Sequence, residues 1–265
     1  MASPAIELRK VSFSFGRDLI LDDVSLSVHP GETVVLIGPS GQGKSTLLKI
    51  MGGLIVPTKG EVFIEGNDLQ LMTPVDREEL AKKIGMLFQK NALFDSLTSL
   101  ENVAFPLREV TGKKLRGGRS LAPQKSDKEI ISLSEKFLDA VGIAHARDLL
   151  PDEISGGMQK RLGIARALAL EPEIVFYDDP TAGLDPITSR KIVQLIAELK
   201  TKSNSTIVAV TNDMHRAYQL ANRIMMVVDR TVIDMGSPTQ TQAHKDPRVV
   251  QFIRGLLEGP LTVHA

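Results

Sequence analysis

The segment Gly38-Pro-Ser-Gly-Gln-Gly43-Lys44-Ser45 determines the fold class of this 265-residue chain. Two glycines separated by four residues and followed by Lys-Ser form the pattern of a phosphate-binding loop. The apolar run Val34–Ile37 precedes the loop, as expected of a strand buried on both faces, and a helical pattern continues to about Gly52. A strand, a glycine-rich loop and a helix in this order predict a site for a nucleoside triphosphate.

Each residue type in this loop has a chemical role. The backbone N–H groups of a curled, glycine-rich loop point at phosphate oxygens, and the start of the helix adds partial positive charge. Lys44 would reach the β- and γ-phosphates, and the Ser45 hydroxyl would bind Mg²⁺. The predicted nucleotide-binding residues of the loop are Gly38, Ser40, Gly41, Gln42, Gly43, Lys44, Ser45 and Thr46.

The rest of the chain predicts an α/β fold with a mainly parallel sheet, because short apolar runs alternate with helical patterns. Ile6–Phe15 and Leu19–Val28, joined by a short turn, predict an antiparallel β edge. Between Gln89 and Pro172 helical signals replace strand signals, including a capping box at Ser126. We therefore expect a helical subdomain inserted into a parallel-sheet core.

Composition excludes several classes of function. The chain has 32 Lys+Arg against 32 Asp+Glu, so it lacks the basic excess of a protein held to nucleic acid by charge. It has no cysteine, which excludes disulfides and thiolate chemistry. Its apolar runs are far shorter than the roughly 18 residues of a membrane span, and its start does not resemble a signal peptide. We expect a cytosolic globular protein.

One stretch, residues 111–128, has six Lys and Arg residues against one Asp, together with three glycines and one proline. It predicts either a solvated loop or a basic edge near lipid head groups.

An acidic residue is expected at the end of a strand near the phosphates. The segment Ile174-Val-Phe-Tyr-Asp178 supplies it, because four apolar residues predict a buried strand that ends in Asp178. We expect Asp178 to hold Mg²⁺.

The segment Ile154-Ser-Gly-Gly-Met-Gln-Lys-Arg161 resembles the signature sequence of the ATP-binding cassette (ABC) ATPases. That signature usually begins with Leu and has Gln at the position of Met158. The resemblance implies an ABC nucleotide-binding domain of the P-loop NTPase fold that binds ATP. It also implies that Ser155, Gly156 and Gly157 close over ATP held by the opposite subunit of a head-to-tail homodimer.

Other landmarks of the same family occur in order. Gln89 resembles the glutamine that senses Mg²⁺ and the transport domain, and Asp185 ends a segment similar to the loop that connects the two sites. Phe15 resembles the aromatic residue that stacks on adenine. Phe13 is the alternative for that role, and both rings could instead belong to the core.

Two positions depart from the family pattern. Asp179 occupies the place of the catalytic glutamate, and Asn212 occupies the place of a histidine that contacts the γ-phosphate. Aspartate is one methylene shorter, and a misplacement of about 1 Å can cost about 10²-fold in rate. We expect a slow ATPase or, alternatively, a degenerate regulatory cassette. His215, a few residues further on, is interpreted as a surface histidine.

Shorter segments narrow the resemblance to the Mla-type ATPases, which drive lipid movement between bacterial envelope membranes. These segments are Ser155–Met158, Gly60–Val62, Asn91–Asp95, Asn102–Leu107 and the tail from Asp246 to Phe252. The resemblance implies phospholipid transport with a transmembrane permease, a periplasmic lipid-binding subunit and a small accessory protein. It implies no nucleic acid, and it places the chain on the cytoplasmic face of the inner membrane. An ABC transporter for a non-lipid solute remains the alternative.

The expected organisation is a first part of the ATPase core at 1–89, a helical subdomain at 90–172, a second part of the core at 173–240 and a C-terminal extension at 241–265. The extension carries a helix start at Asp246-Pro247 and an apolar stripe. We expect this stripe to pack on the partner cassette or an accessory subunit, or alternatively on its own core. Its members are Val249, Val250, Phe252, Ile253, Leu256 and Leu257.

Overall fold

The computed structural model describes residues 3–112 and 122–262. Residues 113–121, half of the basic stretch discussed above, therefore lie outside the described residues. The described strands are β1 (Ile6–Phe15), β2 (Asp18–Val28), β3 (Thr33–Ile37), β4 (Lys59–Ile64), β5 (Asn67–Asp68), β6 (Ile84–Leu87), β7 (Ile174–Asp178), β8 (Thr206–Val210), β9 (Arg223–Val228) and β10 (Thr231–Gly236). The described helices are α1 (Lys44–Met51), α2 (Pro74–Lys82), α3 (Ser99–Val110), α4 (Asp127–Ala140), α5 (Gly156–Leu168), α6 (Pro186–Ser203), α7 (Met214–Leu220), α8 (Pro238–Gln242) and α9 (Pro247–Arg254).

The chain forms two compact units. We call them the phosphate-loop unit, which is Met1–Gln70 with Thr206–Ala265, and the signature unit, which is Leu71–Ser205.

The phosphate-loop unit contains two sheets. The first is antiparallel in the order β2-β1-β4-β5, and Phe15 pairs with Asp18 across a two-residue turn. The second runs β10-β9-β3-β8, with β3 parallel to both of its neighbours and β10 antiparallel to β9. Every residue of β3 and β8 is buried, which explains their continuous apolar sequences.

The signature unit combines the parallel pair β6–β7 with α2 to α6. The predicted capping box is present at the start of α4, where the Ser126 side chain accepts a hydrogen bond from the Glu129 amide and Glu129 bonds back to Ser126. The same motif begins α3 at Thr98 and Glu101. Such boxes satisfy amides that the first helical turn leaves without partners.

The predicted fold class is confirmed, since the chain is α/β with parallel strands and a separate antiparallel sheet. Over residues 3–112 and 122–262, no helix combines the length and the apolar character needed to cross a membrane.

Candidate nucleotide site

The phosphate loop connects the end of β3 to the start of α1. Gly38 leaves the strand with φ 137°, and a Cβ there would lie 2.2 Å from the carbonyl oxygen of Val227. Only glycine allows this approach to β9 without a shift of the backbone. Gly43 caps α1 with a left-handed backbone, so the loop reaches the helix start as the sequence predicts.

Lys44 is the buried cation of this loop. Lys44 is 7% exposed, and its Nζ donates hydrogen bonds to the carbonyl oxygens of Gly38 and Pro39 at 2.8 and 2.7 Å. The side chain therefore folds back across the loop that precedes it. Its charge lies beside the backbone that is predicted to surround the phosphates.

Phe15 and Asn212 also belong to the phosphate-loop unit. Phe15 is 55% exposed and Phe13 only 8%, with the two rings edge to face and 4.8 Å between centroids. Phe15 is therefore the ring available for stacking, and Phe13 is a core residue. Asn212 is exposed and follows Thr211, whose amide donates to Leu36 at 3.1 Å, so Asn212 lies at the sheet edge from which the phosphate loop emerges.

The two predicted acids lie at the end of β7 in the signature unit. Asp178 is the last residue of the strand and is 4% exposed. Asp179 follows with φ 46°, a left-handed conformation that Asp adopts more readily than most residues. The chain therefore turns sharply at the residue that is predicted to occupy the place of the catalytic glutamate.

Lys160 on α5 connects three of the predicted residues. Its Nζ donates to the carbonyl oxygen of Gln89 at 2.6 Å. Burial lowers the pKa of the Lys160 ammonium, and the carboxylates of Asp179 and Asp178 oppose that shift. Sequence reasoning missed this lysine. The sequence did carry one signal. Lys160 lies one helical turn and two helical turns before residues of α5 that are buried, so its spacing places it on the apolar stripe of that helix.

The signature residues lie at an exposed helix start. Ser155 caps α5 by accepting a hydrogen bond from the Met158 amide at 3.3 Å, and Ser155 and Gly156 are exposed. A Cβ on Gly157 would lie 2.7 Å from Cγ2 of Thr188, so α5 approaches the start of α6 closely.

Asp185, the predicted residue of the connecting loop, caps α6. It accepts hydrogen bonds from the amides of Ile187 and Thr188 at 2.9 and 3.0 Å, and the bonds to Thr188 contribute most to lowering the pKa of Asp185. The signature and the connecting loop therefore meet within one unit.

A groove of about 400 Å³ follows β6 in the signature unit. Phe94 and Phe105 lie on it with 4.5 Å between ring centroids, and both are more than a third exposed. Arg166 lies 5.4 Å from the Phe94 ring centroid and donates to the carbonyl oxygens of Asn91 and Ala92. Asn102, fully buried, bonds the backbone of the loop that begins at Phe94.

A phosphate loop between a buried strand and a helix, together with an acid that ends another strand, defines a P-loop nucleoside triphosphatase. Residues 21–182 match the protein family described as ABC transporter. The chain belongs to this family of ATP-binding cassettes, which bind and hydrolyse ATP.

Relatives and solved structures agree with this assignment. The chain is 38% identical to the intermembrane phospholipid transport system ATP-binding protein MlaF of Escherichia coli K12, over 97% of this chain and 91% of that protein. It is 37% identical to the probable ribonucleotide transport ATP-binding protein mkl of Mycobacterium leprae, over 97% of this chain and 71% of that protein. Its structure is similar to the post-hydrolysis dimer of the ATP-binding cassette MJ0796 bound to ADP and Pi, with a TM-score of 0.76, 34% identity and coverage of 87% of this chain and 98% of that one.

Proposed function

We propose that this chain is the ATPase subunit of a transporter that moves phospholipid between envelope membranes. The similarity to MlaF extends over 97% of the chain and therefore includes part of the C-terminal extension as well as the cassette. The comparable similarity to mkl makes transport of a non-lipid solute, such as a ribonucleotide, the second candidate.

In this proposal two copies of the chain act together. The phosphate loop of one copy binds ATP, and Ser155, Gly156 and Gly157 of the second copy close over its γ-phosphate. The exposure of Ser155 and Gly156 supports this role, because an N-terminal helix end on the surface can receive an anion from another molecule. Phe15 would stack on adenine, and Asp185 would connect the two sites.

Mg²⁺ would be held by Ser45, Gln89 and Asp178. Among residues 3–112 and 122–262, no group of three or more Asp, Glu, His or Cys residues is placed so that it could hold a metal ion. A set with a single carboxylate suits Mg²⁺, which usually keeps several waters and binds substrate phosphates. The cation would neutralise phosphate charge during hydrolysis, while Asp179 orients the attacking water and Asn212 donates a neutral hydrogen bond. We expect turnover to be slow for the reasons given above.

The groove beside Phe94 is the proposed binding site for the coupling helix of a separate transmembrane permease. Two partly exposed aromatic rings give it an apolar floor, and the Arg166 guanidinium stacks near one of them. Because Arg166 belongs to α5, a permease bound there would contact the helix that begins with the signature. The chain would then lie on the cytoplasmic face of the inner membrane.

The C-terminal stripe has two different environments. Val249 on α9 is fully buried, whereas Leu256 and Leu257, which follow the left-handed cap Gly255, are 50% and 89% exposed. Val249 thus packs on its own chain. The exposed leucines are the proposed contact for the partner cassette or a small accessory protein. A periplasmic lipid-binding subunit would complete the transporter.

Reconstitution of the chain with its transmembrane permease in proteoliposomes tests the proposal. Proteoliposomes carrying fluorescent phospholipid should transfer it to acceptor vesicles when ATP is supplied, and the Lys44→Ala variant should not. Transport of radiolabelled ribonucleotide with no lipid transfer would favour the second candidate. Absence of both activities in a complex that hydrolyses ATP would contradict both.

A further inference from the structure

The hairpin formed by β9 and β10 supports the phosphate loop at two points. Gly38 lies against the carbonyl oxygen of Val227, as described above. Gln42, in the middle of the loop, accepts a hydrogen bond from the backbone amide of Asp229 through Oε1 at 3.1 Å. The position of Gln42 therefore depends on the position of the hairpin turn.

Both residues of the turn adopt a backbone conformation that is unfavourable for residues other than glycine. Asp229 and Arg230 both have positive φ, 49° and 65°, and they connect the paired residues Val228 and Thr231. Such two-residue turns usually contain glycine or asparagine. A turn without glycine benefits from contacts that fix it from outside.

Arg248 on α9 provides such a contact. Its Nη1 donates to Oδ2 of Asp229 at 3.0 Å. Its Nε and Nη2 are held by both carboxylate oxygens of Asp246 at 3.1 and 2.7 Å, and Asp246 also caps α9 through the Arg248 amide. A guanidinium held in this bidentate way has a fixed orientation. The hydrogen bonds from Arg248 also hold the pKa of Asp246 at about 2, so the pair stays ionised near neutral pH.

These contacts form a continuous path inside the phosphate-loop unit, from α9 through Asp229 to Gln42. We propose that Arg248 is a positioning residue of the ATP site, which fixes the β9–β10 turn so that the Asp229 amide holds Gln42 and the phosphate loop in the binding conformation. Arg248 lies in the C-terminal extension, beyond the residues that match the family. The inference rests on the ATP-binding role of the phosphate loop.

The experiment measures ATP affinity by titration calorimetry on the full-length chain. Arg248→Met should raise the Kd for ATP about three- to fivefold, the range expected for a partly exposed ion pair. Arg248→Lys should give an intermediate Kd for ATP, because lysine keeps the positive charge but lacks the forked set of N–H donors of the guanidinium. Arg254→Met, which removes an exposed cation from the same helix, should bind ATP as the native chain does.

A double-mutant cycle separates positioning from a general loss of stability. Gln42→Ala should weaken binding by a similar factor, and Gln42→Ala combined with Arg248→Met should be no weaker than Gln42→Ala alone. The effect of Arg248→Met should also shrink between about 0.1 M and 1 M salt, because the ion pair is screened.

Asp229→Asn provides a second variant if Arg248→Met does not fold. Asparagine accepts the left-handed backbone and keeps the amide that holds Gln42, but it removes the ion pair. It should raise the Kd for ATP about as much as Arg248→Met. Native affinity in the folded Arg248 and Asp229 variants, or additive effects in the cycle, would overturn the inference. If Lys44→Ala also bound ATP normally, the assignment of the phosphate loop itself would be wrong.

Discussion

The phosphate loop and the signature are both helix starts that are predicted to bind phosphate, but they differ in their surroundings within the chain. The phosphate loop is fixed by its own unit, since Gly38 packs on Val227 and the buried Lys44 folds back onto two carbonyl oxygens. The signature presents Ser155 and Gly156 on an exposed helix end. We infer that one chain suffices to bind ATP, whereas closure over the γ-phosphate needs a second chain.

Of the proposed variants, Lys44→Ala should have the largest effect, and it should act on ATP binding by the phosphate loop. Loss of charge-assisted bonds to two phosphates should weaken ATP binding by about 10³-fold. Lys49→Ala, one turn later on α1, is the matched control and should bind ATP normally. Calorimetric titration checks both, and unchanged affinity in Lys44→Ala would contradict the phosphate-loop assignment.

Gly156→Asp should affect only the signature and its closure over the γ-phosphate, and not the phosphate loop. A Cβ at this position would meet only Cδ2 of Leu184 at 3.8 Å, an ordinary contact, and an acid in the first turn favours the helix. The monomer should therefore melt at the native temperature and bind ATP as tightly. Turnover with permease should fall about 10²-fold, because the new carboxylate repels the γ-phosphate. Gly156→Asn, which is uncharged, should retain more turnover, and equal loss in both variants would argue for a steric cause.

Lys160→Met tests the role of a buried cation inside the signature unit. It removes the hydrogen bond to the Gln89 carbonyl and the cation near Asp178 and Asp179. We expect kcat to fall about 30-fold while KM for ATP changes less than about twofold. Steady-state kinetics distinguish this from misfolding, and Lys136→Met, an exposed lysine of α4, should behave as the native chain does. A parallel rise in KM would show that Lys160 acts on ATP binding instead.

Asp179→Glu combined with Asn212→His should have the smallest effect, and in the opposite direction. Restoring the usual residues should raise turnover about tenfold, below the 10² expected for ideal placement. The gain is limited because Asp179 has φ 46°, which a longer side chain accepts less readily than Asp. Turnover measured with permease is the test, and a double variant no faster than the native chain would refute the proposed cause of slow hydrolysis.

Sequence reasoning predicted the fold well where local patterns are strong. The buried strands β3 and β8 are continuous apolar runs, and the start of α4 follows from its capping box. The contact of Lys160 with Gln89 could not be predicted, because it joins residues far apart in the chain. The ion pair between Arg248 and Asp229 is equally invisible, since both residues look like ordinary surface charges in the sequence.

The greater exposure of Phe15 than of Phe13 could not be predicted from the sequence either. Both rings belong to the first strand, but its register with β2 is irregular between Val11 and Ser14. A simple alternation of faces therefore does not hold there.

Mixing the Lys44→Ala and Gly156→Asp chains tests the central claim most directly. Each variant alone lacks one half of every shared site, so each should remain a monomer of 28.9 kDa with Mg²⁺ and a non-hydrolysable ATP analogue. An equimolar mixture can form a heterodimer with one intact site, and light scattering should detect a species of twice that mass in the mixture alone. A mixture that scatters only as monomer, under conditions in which the native chain dimerises, would contradict the claim that the two halves complete each other across two chains.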